Sequence, residues 1–147
     1  MATINNVFIY PPNWDYFYPV KNGVKKYIIN RTMIGTATAD ETDAVIVTPG
    51  DFYTIDGEVG ARFHISHIAY NMSLGDTAYL KLSWDRVDKP TIAVLSGWGT
   101  QGEKGPQGTG AFEDGGEGGT GAILVSTVGV AQYDTYDITL TFSVKKA

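Results

Sequence analysis

The sequence predicts an all-β domain, a jelly-roll-like antiparallel β-sandwich with an N-terminal extended arm and a long Gly-rich loop. Three observations predict it. Apolar and polar residues alternate with period two in several short segments. Turn-forming residues separate those segments. No window sustains a helical period with caps.

The alternation is cleanest in two places. In Thr77–Trp84, Ala78, Leu80, Leu82 and Trp84 share one face, while Thr77, Tyr79, Lys81 and Ser83 share the other. In Tyr136–Val144, Tyr136, Ile138, Leu140, Phe142 and Val144 oppose Asp137, Thr139, Thr141 and Ser143. Successive strand side chains point to opposite faces, so each segment reads as a strand with one buried face. Val24–Ile34, Ala44–Thr48, Ala61–Tyr70, Thr91–Leu95 and Ala122–Val130 are further candidates, rich in β-branched and aromatic residues. Pro49-Gly50-Asp51, Asp56-Gly57, Ser73 to Asp76, Asp85 to Pro90 and Gln132 to Thr135 break the chain between them. Short strands in this rhythm close into a sandwich or barrel, and an immunoglobulin-like Greek key is the close alternative to the jelly roll.

Two segments stand apart. Phe8–Val20 holds six of the eighteen aromatics and three of the six prolines, which forbid a helix and favour an extended arm. Gly97–Gly121 holds eleven of the eighteen glycines. It lies between two strand candidates and reads as a polar loop inserted at one end of a sheet. The expected organisation is an arm over 1–20 and one sandwich domain over 21–147, with the insertion at 97–121.

Composition bounds the chemistry. The 147 residues include no cysteine, which excludes disulfides, thiolate metal sites and cysteine nucleophiles. A chain of this length buries about 70% of its unfolded surface and holds a core without staples. Sixteen acidic and eleven basic residues give a net charge of −5, with no Lys/Arg stripe, so nucleic acid and anionic membrane are poor partners. No apolar run approaches the ~20 residues a membrane helix needs, and Met1–Asn6 lacks the pattern of a signal peptide. A soluble protein made in a cytoplasm is expected.

No catalytic, cofactor-binding or metal-ligating set emerges, and an enzyme is not expected. His64 and His67, three apart in one strand, are expected on opposite faces, where they cannot share a metal. The carboxylates cluster in turns and read as solvated charges. Glu113-Asp114-Gly-Gly-Glu117 has the composition of a calcium loop but not the EF-hand register. The glycine stretch has no helix pattern behind it to cradle phosphate. It does carry four consecutive Gly-x-y triplets starting at Gly99, Gly102, Gly105 and Gly108, the spacing a collagen triple helix needs.

The candidate partner-contact residues are therefore Phe8, Tyr10, Trp14, Tyr16, Phe17 and Tyr18 in the arm, and Trp98 and Phe112 in the Gly-rich segment. Tyr and Trp give large contact area at low entropy cost. The arm folds over an edge of its own sandwich, reaches to a neighbour, or offers a stacking platform for sugar. The last reading, a receptor- or carbohydrate-binding module, uses Trp14, Tyr16, Tyr18 and Trp98 as stacking groups.

The chain as a whole resembles a small tailed-phage virion structural protein of the capsid cement, or decoration, type. The resemblance rests on the polar start Met1–Asn6, the proline-aromatic arm, the cysteine-free body of low charge and the collagen-like run 102–108. It implies a homo-oligomer, dimer or trimer, made in the host cytoplasm and carried in the virion. Its partners would be the major capsid protein or other virion subunits, and it implies neither a cofactor nor catalytic residues.

Overall fold

The structure is a computed structural model that describes residues 40–52, 54, 58–75, 77–102, 112–131 and 133–146, together with the backbone of 3–10 and 27–34. Ten strands occur among these residues: β1 (Thr3–Tyr10), β2 (Tyr27–Ile34), β3 (Ala44–Val47), β4 (Arg62–Ser73), β5 (Tyr79–Trp84), β6 (Thr91–Leu95), β7 (Trp98–Gly102), β8 (Phe112–Glu113), β9 (Ile123–Val128) and β10 (Thr135–Lys145). A single 3-10 turn at Pro49–Asp51 is the only helical element among the described residues.

The strands form two antiparallel sheets. The larger has the order β1-β2-β10-β4-β7, with β8 pairing β4 beyond the end of β7; the smaller has the order β3-β9-β5-β6. The pairings are nested. From β2 onward, β2 pairs β10, β3 pairs β9, β4 pairs β7 and β8, and β5 pairs β6. The chain thus doubles back on itself around the β5–β6 hairpin.

The apolar faces of the two sheets meet in one core. Phe63, Ile65, Ile68 and Met72 of β4 and Tyr136 to Val144 at alternate positions of β10 come from the larger sheet, and Leu80, Leu82, Trp84, Leu95, Ile123 and Val125 from the smaller. Phe52, just after the 3-10 turn, completes an edge-to-face cluster with Phe63 and Phe142, whose ring centroids lie 4.9 Å apart. The expected apolar faces of β5 and β10 are buried: Ala78, Leu80, Leu82 and Trp84, and all five apolar residues of β10; Ser83, expected on the polar face of β5, is buried as well.

Every strand candidate forms a strand, with ends shifted by up to three residues. Three strands were not anticipated. Strand β1 pairs β2 along Thr3–Tyr10, so the first half of the expected arm is an edge strand; residues 11–20 lie outside the described residues. Strands β7 and β8 lie inside the Gly-rich segment, which is corrected from a loop to a broken edge strand flanking residues 103–111, themselves outside the described residues. Gly102 shows why glycine suits that strand. Its φ is +137°, and a Cβ there would stand 2.3 Å from the Ser66 carbonyl oxygen.

Two substitutions test this packing. Phe142→Ala, at the centre of the aromatic cluster, should cost about 3–5 kcal/mol in urea denaturation. Ser83 Oγ is buried without a hydrogen-bond partner among the described residues. Ser83→Ala should therefore leave the midpoint unchanged or raise it, because no bond is lost with the hydroxyl.

Candidate functional site

The outer face of the larger sheet carries the polar halves of its alternating strands. Cross-strand register sets them in rows: Asp137–Asn71–Trp98, then Thr139–Ala69–Thr100, then Thr141–His67–Gly102, then Ser143–His64–Glu113. In β2, Thr32 stands beside Asp137 and Asn30 beside Thr139 in the same register.

The histidines belong to these rows because of a bulge. Pairing between β4 and β10 shifts between Thr141 and Phe142, leaving Ser66 as the extra residue of β4. One extra residue reverses the alternation. Phe63 and Ile65 point into the core before the bulge, and Ile68 and Met72 after it. The expectation that His64 and His67 face opposite ways is thus overturned: both lie on the outer face. His64 Nδ1 is 2.6 Å from Glu113 Oε1, which also meets Lys145 Nζ at 3.4 Å. Among the described residues no group of three or more His, Asp or Glu is placed to hold a metal.

Trp98 opens β7 with its side chain on this outer face and is 81% exposed, the most exposed large apolar residue described. It borders a shallow, open groove of about 580 Å³. Trp98 and Thr100 form one side and Asp137 and Thr139 the other, with the small Ala69 between them. Asn71 closes the row, and the Tyr70 hydroxyl comes within 3.0 Å of where a Cβ on Gly99 would stand.

The other predicted contact residues are spread out. Phe8 and Tyr10 are in β1; Trp14, Tyr16, Phe17 and Tyr18 lie outside the described residues. Phe112, in β8, is half-buried and packs on the core cluster. Sequence alone does not single out Asn71, Asp137 and Thr139, although the alternation sets Asp137 and Thr139 on the polar face.

The carboxylates are corrected most sharply at Asp114. Instead of a solvated turn charge, its side chain is fully buried against Arg86, which is itself only 9% exposed. Arg86 Nε donates to Asp114 Oδ1 at 3.0 Å and Oδ2 at 2.9 Å, and Nη2 to Oδ2 at 2.6 Å. The same guanidinium donates to the carbonyls of Gly118 and Ala61. The Asp114 carboxylate that a calcium loop would need is therefore committed to an internal cation.

Compared with protein-family models, with curated proteins and with solved structures, the chain matches none. No helix among the described residues is long and apolar enough to cross a membrane.

Asp114→Ala should cost about 3–5 kcal/mol, because it strands a buried guanidinium; the double change Arg86→Met with Asp114→Leu should cost less than either single change, as urea midpoints would reveal. Acid should also weaken the fold. The Thr120 hydroxyl and backbone N–H hold Asp85 below its ordinary pKa, and the Lys89 ammonium does the same for Asp43. At Glu113 partial burial pushes the pKa up, but the bonds and charges of His64 and Lys145 outweigh it, so the net direction is down. A carboxyl depressed in the folded state contributes stability above its unfolded pKa, near ~4, and loses it as pH falls through the lower folded value. The urea midpoint should therefore drop below about pH 4, and Asp85→Asn should make that drop shallower.

Proposed function

We propose that the chain is a virion structural protein, a capsid decoration or cement protein that binds an assembled shell and reinforces it, and that its two sheets form a jelly roll. The nested pairing supports the fold reading. Taking β7 and β8 as one interrupted strand, eight strands pair first with last around a central hairpin, as a long hairpin does when wrapped over itself. This double-sheet arrangement is used by viral capsid and lectin domains.

The observation that carries the functional reading is the position of β1. It is the outermost strand of the larger sheet and pairs β2 on one side only among the described residues, and the chain runs from it directly into the proline-aromatic residues 11–20. A sheet edge presents unpaired backbone groups to a neighbouring chain. Trp14, Tyr16 and Tyr18 follow β1 in the sequence and supply the residue types that anchor interfaces. Repeated over a homo-oligomer, individually weak contacts to the major capsid protein or another virion subunit hold a shell together.

Co-sedimentation with purified assembled shells tests this. The full chain should saturate them, and the triple change Trp14→Ala, Tyr16→Ala, Tyr18→Ala should weaken binding by at least about tenfold. Unchanged affinity of the triple variant would sink the arm-mediated reading. Light scattering of the free chain should report a dimer or trimer.

A further inference from the structure

We propose that the groove beside Trp98 is a binding site for neutral, hydroxyl-rich sugars, with one pyranose ring lying against the indole. The inference stands apart from the shell reading, because it concerns a different part of the sheet and needs no shell.

The first reason is what surrounds the indole. A tryptophan that anchors a protein interface is normally set in an apolar patch depleted of charge. Here its neighbours across the strands are Asn71 and, one strand further, Asp137, with Thr100 and Thr139 in the adjoining row. An exposed indole beside amides, hydroxyls and a carboxylate matches a ligand with an apolar C–H face and a polar rim. A pyranose has both. The indole packs against the ring hydrogens, and Asn and Thr can donate and accept, as hydroxyls require.

The second reason is shape. Ala69 is the smallest outward-facing residue of the two rows, and it leaves a depression between the Trp98 side and the Asp137–Thr139 side. The two sides stand two strand spacings apart, about 10 Å. The volume of about 580 Å³ lies in the range of small-ligand sites. The groove is open rather than enclosed, which suits one unit of a chain that continues past it.

The third reason is charge. The described lining contains one carboxylate and, among the described residues, no Lys or Arg, a balance that disfavours an anionic sugar. A quaternary ammonium would find one aromatic and one carboxylate instead of a cage, and would make no use of the amide of Asn71 or the hydroxyl of Thr100.

The test titrates the full chain with cellohexaose, maltohexaose, chitohexaose and mannohexaose, reading binding by calorimetry, with sialyllactose and choline as counter-probes. At least one neutral hexasaccharide should bind and both counter-probes should not. Trp98→Ala should weaken that binding at least about tenfold, with the urea midpoint unchanged since the side chain is exposed. Ala69→Leu, which fills the depression and keeps the indole, should weaken it comparably. Failure of all four hexasaccharides overturns the proposal. So does tighter binding of sialyllactose or choline, and so does full affinity in either variant.

Discussion

The fold depends most on one buried ion pair, Arg86 with Asp114. Arg86 belongs to the turn that joins β5 to β6 in the smaller sheet, and Asp114 follows β8 in the larger. Its guanidinium also reaches the Ala61 carbonyl at the start of β4. Three distant stretches of chain therefore converge on one side chain. Around it, Arg62 Nη1 donates to the carbonyls of Asp114 and Gly116, Thr120 bonds the Asp85 carboxylate, and Val87 N–H reaches the Glu117 carbonyl. A Cβ on Gly119 would stand 2.0 Å from the Asp85 carbonyl oxygen, so the backbones touch where only glycine fits. A buried pair of this kind repays its desolvation only when the remaining donors and acceptors are also satisfied. Here the Gly118 and Ala61 carbonyls take up two of the other guanidinium protons. The pair does what an apolar contact would do less specifically: it fixes how a glycine-rich return segment crosses from one sheet to the other.

A second constraint sits at Ser66. The bulge there divides β4 into two halves with opposite alternation, and Ser66 Oγ donates to the Thr141 carbonyl at 3.2 Å. The opposing edge strand breaks at the same level. Gly102 ends β7 opposite His67, and Phe112 begins β8 opposite Ile65. Bulge and break thus coincide, and the chain between Gly102 and Phe112 leaves and re-enters the sheet at nearly adjacent positions. The bulge also lets Phe63 and Ile65 reach the Phe52–Phe142 cluster while Ile68 and Met72 line the rest of the core, and it turns both histidines outward.

How far the sequence announces this differs by element. Strands β5 and β10 are plain because their apolar residues all fall on one buried face, so composition alternates along them without interruption, even though Ser83 of β5 is buried too. Strand β4 is legible as a strand but not in its facing, since no local signal marks Ser66 as the inserted residue. Strands β7 and β8 are not legible at all: Trp98-Gly-Thr-Gln-Gly carries no apolar alternation, and its place in the sheet is set by pairing with a distant strand. Asp114 is misleading for a related reason. Glu-Asp-Gly-Gly-Glu has the composition of a solvated turn, and only Arg86, 28 residues earlier in the chain, buries its aspartate. At the groove, the facing of Asp137 and Thr139 was readable, but their neighbours Asn71 and Trp98 required the register across three strands.

The geometry of the larger sheet separates the two proposed contact regions. Strands β1 and β7 lie at opposite edges, four spacings or about 19 Å apart. They also lie toward opposite ends: Tyr10 pairs Ile28, whose other neighbour is Thr141, while Trp98 lies in the row of Asn71 and Asp137. Strand β1 therefore ends near one corner of the sheet and the indole stands near the other. A partner paired along β1 need not cover the groove. An edge strand suits a large, repeated protein surface, because backbone pairing and aromatic anchors add along its length. A single indole in a polar row suits a small ligand, because the described residues around it do not offer the apolar area a protein core would need. The β1 edge and the Trp98 groove thus differ in chemistry as well as in place, one offering unpaired backbone and the other a single indole in a polar row.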